Sequence, residues 1–447
     1  MDGPVISGAA KRDEIARLLT ILELDFEQKN FLPPQRNALL RELKSHIRSV
    51  EDSEPLFTPV SVRTLSRHSY DGSSLITSRE ALKCLANVLL LEAKTRQMFV
   101  DLGYPKKAAG RLKNDNREDE LLNSRVLFLM TYGTTLSFHD LFDHHQLADS
   151  INANIARHSK LYSKSNSKTP PPSAVDNQAL SETLKLLFNL AQYYPQKSPN
   201  FAKSVPHVLK ILNRISLPSP PLQPPVTYLI NSLLNLDLES GNNKPLFPKS
   251  DEKCNVNRLI SILDVTVRTY KEEQLENLAT PLLTLLRRVY ELAAPQVAAH
   301  MKALLLPSNE ERAQPLGRSD TLAAWLLRLS TSPVAPNVRE STSSLMFELS
   351  DKDATSFVRN VGYGFASGFL MTHDLPVPEN ALEGWSTGAS GESRVEDPGE
   401  RVTNVNGREI NPVTGQRRDM EPAAPGPEMT GAEKEREAEK LFVLFER

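Results

Sequence analysis

Arg63 and Arg67, in "VRTLSRH", stand four residues apart and so share one face of a helix. Two guanidiniums side by side offer forked donors that suit a carboxylate or a phosphate. A second polar theme runs through apolar helical segments. Asn87 lies in "LKCLANVLL", Asn189 in "LKLLFNLAQ", and Asn231 and Asn235 in "INSLLNLDL". On a groove wall an asparagine can give both a donor and an acceptor to a bound backbone. Arg125, in "SRVLFLMT", is a further candidate for such a wall.

Constellations for covalent chemistry are scarce. "FHDLFDHHQ" gathers His139, Asp140, Asp143, His144 and His145, and His139 with Asp143 has the i, i+4 spacing of a metal-holding pair. No second ligand pair accompanies it. The sequence contains no G-x-S-x-G, H-E-x-x-H or G-K-[ST] motif, and no Ser, His and Asp spacing that marks a triad. Neither an enzyme nor a bound cofactor or metal is expected. Gly362, Gly364 and Gly368 in "FVRNVGYGFASGFL" approximate a dinucleotide fingerprint, one residue off. The stretch before them is helical in period and carries no lysine suited to a phosphate. The reading preferred here is structural: Gly362 makes a turn, and Gly364 with Gly368 lets the next helix approach a neighbour closely.

The elements that must position these residues are helices. Segments 79–103, 121–135, 179–196, 225–240, 277–307, 321–332 and 341–350 all repeat apolar residues at spacings of three and four. No useful strand-type alternation interrupts them. The recurrence of a Leu-rich helix with an embedded asparagine predicts an all-α fold, an armadillo/HEAT-like α-solenoid with a right-handed superhelix. An irregular all-helical domain is the alternative. The repeat domain is expected over residues 1–375, with a mobile polar loop at about 163–178. An extended or partly disordered strap should follow over 376–428, where Gly, Pro and charge dominate. An amphipathic helix over 429–447 ends the sequence, its apolar stripe formed by Ala438, Leu441, Phe442 and Phe445. It either packs back on the array or waits for a partner. Because the stripe is cut at Arg447, the native chain is expected to be longer.

Composition agrees with this class. The 447 residues carry a formal net charge of −2, which creates no strong field for nucleic acid or membrane. Aromatic residues make up only 6%, and leucine-rich, aromatic-poor chains lean towards helix. Cys84 and Cys254, two isolated thiols, form neither a disulfide framework nor a zinc site. The first residues lack a signal-peptide pattern and no segment approaches a membrane span, so a soluble cytosolic protein is expected.

Several segments, in order, carry a resemblance: "VRTLSRH", "LKCLANVLL", "SRVLFLMT", "ETLKLLFNLAQ", "VGYGFASGFL", "INPVTG" and "MTGAEKEREAEKLFVLFER". Together they resemble the synembryn family, in wording nearest a fungal branch, from about residue 60 onwards. The resemblance implies a cytosolic exchange factor and folding chaperone of heterotrimeric G-protein α subunits, acting without covalent chemistry. It implies a groove that takes the C-terminal helix of a GDP-bound or nucleotide-free α subunit. Arg63 and Arg67 match the family's arginine pair near the end of that helix. Asn87, Arg125, Phe188 and Asn189 sit in matching groove helices, and Leu441, Phe442 and Phe445 match a helix that reaches the α subunit. Ala323 and Trp325 stand where the family carries charge. Ser393, with acid at +3, falls in a strap where the family is phosphorylated. The implied protein is a monomer, cytoplasmic and recruited to the cell cortex or plasma membrane through its partner. The rival expectation, an armadillo adaptor for extended peptides, requires tryptophans beside the asparagines, and Trp325 and Trp385 lie elsewhere.

Overall fold

A computed structural model describes residues 7–162, 171–238, 245–377 and 408–421. Leu441, Phe442, Phe445, Ser393 and Trp385 lie outside the described residues. The chain divides into two compact units, one of residues 1–304 and 332–349, the other of residues 305–331 and 350–447.

The first unit begins with α1 (Gly8–Gln28), α2 (Pro33–His46), α3 (Pro59–Tyr70), α4 (Leu75–Leu91), α5 (Lys94–Asp101), α6 (Pro105–Arg111), α7 (Arg117–Met130) and α8 (Phe138–His145). It continues through α9 (Leu147–Leu161), α10 (Ala174–Tyr193), α11 (Val205–Arg214), α12 (Val226–Asn235), α13 (Cys254–Thr269), α14 (Glu272–Leu278), α15 (Thr280–Glu291) and α16 (Pro295–Leu305). Then α17 (Leu322–Leu329) belongs to the second unit, α18 (Pro336–Leu349) returns to the first, and α19 (Ala354–Val361) and α20 (Tyr363–Thr372) belong to the second.

Helices of the first unit pack in rows. One row is α4, α7, α10, α12, α15 and α18, each against the next. A second row, α9, α11 and α13, covers α10, α12 and α15 respectively. Contacts confined to neighbours define an α-solenoid, and they arise because each helix has an apolar stripe too wide for one partner. Leu82, Leu85 and Leu89 of α4, Val126 and Leu127 of α7, and Leu184 and Leu187 of α10 are fully buried. Asn87, Asn189 and Asn235, alike in sequence context, fall in this first row.

Side chains satisfy polar groups at several helix ends. Asn116 caps α7, accepting from the amides of Glu118 and Asp119. Arg96, Arg258 and Arg288 donate to carbonyls near the C-terminal ends of other helices, Arg96 to Leu89 at 2.8 Å, Arg258 to Leu212 at 2.9 Å and Arg288 to Leu233 at 3.4 Å. Cations there also complement the helix dipole. The polar segment read as a loop over 163–178 is helical from Ala174, because Ser173 and Asp176 close a capping box.

In the second unit the glycine-rich stretch joins α19 to α20. Gly362 takes a φ of 82° at the junction, a conformation that favours glycine. The turn expected there is present, but the close neighbour is not a helix. A Cβ on Gly362 would lie 3.1 Å from the Val413 carbonyl oxygen and 3.0 Å from the Gly415 nitrogen. The amides of Tyr363 and Gly364 donate to the carbonyls of Pro412 at 2.8 Å and Val413 at 3.0 Å. Gly368 has open space around its Cα, so the helix-packing role read for it does not hold. Residues 410–417, read as part of an extended strap, instead form a tight loop closed by Asn411 N–H to Gln416 carbonyl at 2.8 Å.

Arg312 anchors this loop. It is 4% exposed and donates to the carbonyls of Gly415 at 2.8 Å and Asn360 at 2.6 Å, and its own carbonyl accepts from Arg417 N–H at 2.8 Å. Burial pulls its guanidinium down to about 10. Nearby, Ala323 is buried, and Trp325 donates its indole N–H to Asp320 at 2.9 Å. The Arg328 guanidinium lies 4.3 Å from the Trp325 ring, so a cation stands on the face of the tryptophan.

Candidate functional site

The arginine pair lies on α3, capped at its start by Thr58, whose hydroxyl accepts from the Ser61 amide. The apolar side of α3 packs on α4, and its 63/67 face borders α1. Arg63 is about half exposed and gives an N–H to Glu23 at 3.2 Å. Arg67 donates to Glu27, and its guanidinium lies 4.2 Å from the Phe26 ring centroid. Beneath them the pairing of α1 with α3 is fixed by His68. Its Nε2 donates to the Leu22 carbonyl at 2.8 Å, and its ring meets Phe26 edge-on. Burial depresses the basicity of His68, with Arg36 and Arg67 adding to the effect, which favours the neutral ring.

The row of α4, α7, α10 and α12 places the other expected residues on successive helices. Arg125 bonds Glu182 of α10 at 2.9 Å. Equivalent ion pairs join other neighbours in the row: Arg79 to Asp119 at 2.8 Å, and Arg287 to Glu348 at 2.5 Å. Phe188 is half-buried, and its carbonyl accepts from Asn235 at 3.3 Å. Asn87 is half-buried on α4. Asn189 does not face outward: it is 4% exposed and donates to the Thr131 hydroxyl at 2.7 Å. Asn231 differs again, because its amide oxygen is buried without a hydrogen-bond partner. That acceptor is a place where a donor would be stabilising.

Sequence reading missed the side chains that link this row. Lys185 lies 4.8 Å from the Phe128 ring and 5.8 Å from Tyr228, and also bonds Glu182 at 2.8 Å. A cation between two rings spans α7, α10 and α12. No linear motif marks it, since the three residues lie on three helices. Tyr132 and Tyr193, both well exposed, meet edge-on beside Phe128. Glu23 and Glu27 were also missed, although a signal existed: they precede Arg63 and Arg67 by 40 residues each and repeat their spacing.

The His/Asp cluster on α8 is engaged in ion pairs. Asp143 accepts from Lys197 at 2.6 Å, Asp140 lies 3.2 Å from Lys106, and His144 bonds Asp140 at 3.0 Å. His139 packs edge-on to Tyr194. Lysine partners hold both aspartates below the usual carboxylate range. Among the described residues no group of three such side chains gathers to hold a metal. No helix among them is long and apolar enough to cross a membrane.

Fold and site together define a helical repeat protein with polar side chains along one row of helices and an arginine pair on α3. The chain belongs to a family described as guanine nucleotide exchange factor synembryn, whose model matches residues 39–447. A synembryn-like chaperone of Schizosaccharomyces pombe is 28% identical over 346 residues, covering 75% of this chain and 62% of that protein. A chaperone Ric-8A of Xenopus tropicalis is 25% identical over 483 residues, covering 98% of this chain and 86% of its own length. The fission-yeast match accords with the fungal wording of the sequence. A designed armadillo repeat protein is 12% identical, covering 58% of this chain and all of its own, at a TM-score of 0.36. That likeness carries no weight for the fold, which rests on the succession of helices.

Proposed function

We propose that this protein is an exchange factor and folding chaperone for G-protein α subunits. The helix row of the first unit receives the C-terminal helix of the α subunit, with Arg63 and Arg67 at the end of that helix. Leu441, Phe442 and Phe445, outside the described residues, supply a second contact. The observation that carries this reading is the arginine pair on α3, two partly exposed guanidiniums with N–H groups left over for an anion. Membership of an exchange-factor family supports it.

The action is differential binding. A protein that holds the nucleotide-free α subunit more tightly than the GDP-bound form must, by linkage, promote GDP release. A thousandfold preference corresponds to about 4 kcal/mol. Reordering of the client by GTP and Mg²⁺ then ends the complex. The same preference stabilises an otherwise unstable conformer, which is the work of a chaperone.

GDP release from a purified α subunit, with and without this protein, is the test. The Arg63→Glu, Arg67→Glu double variant should keep its helical content and melting behaviour but lose acceleration of release. Unchanged acceleration by that variant would remove the arginine pair from the site. Absence of acceleration by the wild-type protein would remove the exchange activity.

A further inference from the structure

Glu23 and Glu27 stand one helical turn apart on α1, as Arg63 and Arg67 do on α3, and each carboxylate meets one guanidinium. Glu27 is not the only group that supports Arg67. Arg67 rests on the Phe26 ring, and the two helices are registered by the buried bond between His68 and the Leu22 carbonyl. Arg63 and Arg67 each give a single hydrogen bond to their glutamate, and a guanidinium carries five N–H donors. The four charges sum to zero. An incoming anion therefore meets a neutral patch and must displace carboxylates to reach full positive charge.

We propose that Glu23 and Glu27 are specificity-determining residues that gate the arginine pair. They screen it from freely diffusing anions and yield to a carboxylate presented at the end of an ordered helix. This rests on the reading that the pair receives the chain end of an α subunit. Both ion pairs are partly solvent-exposed, and such pairs are individually weak. Displacement is thus possible for a ligand held elsewhere along the row, and unfavourable for one with no other contacts.

The experiment measures binding of a synthetic peptide with the last residues of a G-protein α subunit, as free acid and as C-terminal amide, to the full chain. Glu23→Gln, Glu27→Gln should bind the free acid about fivefold more tightly than wild type at low salt. The gain should shrink in about 0.5 M salt and be absent for the amide. Equal or weaker binding of the free acid by this variant overturns the gate, because it would make the glutamates inert or supportive. An equal gain for both peptides overturns it as well. Arg63→Glu, Arg67→Glu is the separate control: wild-type affinity there would sink the arginine-seat reading itself, whatever the glutamate variant does. A Glu23→Ala, Glu27→Ala variant with the same result as the glutamine pair excludes an effect of the new amides.

Discussion

Arg63 and Arg67 in the first unit, and Arg312 in the second, hold the same chemical group in opposite ways. The pair on α3 is partly exposed, faces carboxylates and retains donors. Arg312 is buried, and its donors meet the main-chain carbonyls of Gly415 and Asn360. A buried guanidinium among carbonyls is committed to the fold, since losing either partner leaves a charge unsatisfied. An exposed guanidinium opposite a displaceable carboxylate is available to something else. The difference teaches that an arginine's use is decided by solvent and partners rather than by its type.

Removing the buried member should have the largest effect. Arg312→Ala is expected to cost about 3 kcal/mol locally and to release residues 408–421. Hydrogen exchange at the Gly364 and Gly415 amides should rise sharply, and Arg312→Lys should not restore it, because an ammonium cannot reproduce the fork. Unchanged exchange in Arg312→Ala would end the contrast between the two sites.

Next comes the turn that receives the loop. Gly362→Ala puts a Cβ 3.0 Å from the Gly415 nitrogen at positive φ and should cost about 1–2 kcal/mol. Gly368→Ala meets nothing and sits inside α20, so it should stabilise by about 0.5–1 kcal/mol. Thermal melts of the two variants should shift in opposite directions. A shift of both in one direction would show that α20, rather than the docked loop, governs that region.

The smallest effect is a pH dependence beneath the exposed pair. The basicity of His68 is lowered in the fold, so the unfolded chain takes up its proton first. Stability from this group is full above about pH 6.5 and falls as pH drops through that value towards the folded pKa. Denaturation midpoints should decline on going from about pH 7.5 to 5.5. His68→Gln should reduce that dependence, and an undiminished slope would assign it elsewhere.

The helical class was legible because apolar spacing of three and four is written in local sequence. The embedded asparagines were legible as a set, and they do fall in one row of helices. Their individual uses were not. Asn189 points into a neighbour and Asn231 has a free acceptor, a difference set by where Thr131 and the next helix lie. The glycine triplet gave the turn at Gly362 but misassigned Gly368, because the segment it receives is some 50 residues away in the chain.

Local sequence by itself determined the helices, their caps and the side-by-side arginines, since these follow from periodicity and residue type within a few positions. Tertiary structure alone decided that Glu23 and Glu27 oppose Arg63 and Arg67, that Lys185 lies between Phe128 and Tyr228, and that Arg312 grips the 410–417 loop. Each of these joins residues distant in sequence, and such contacts exist only once packing has brought their helices and loops together.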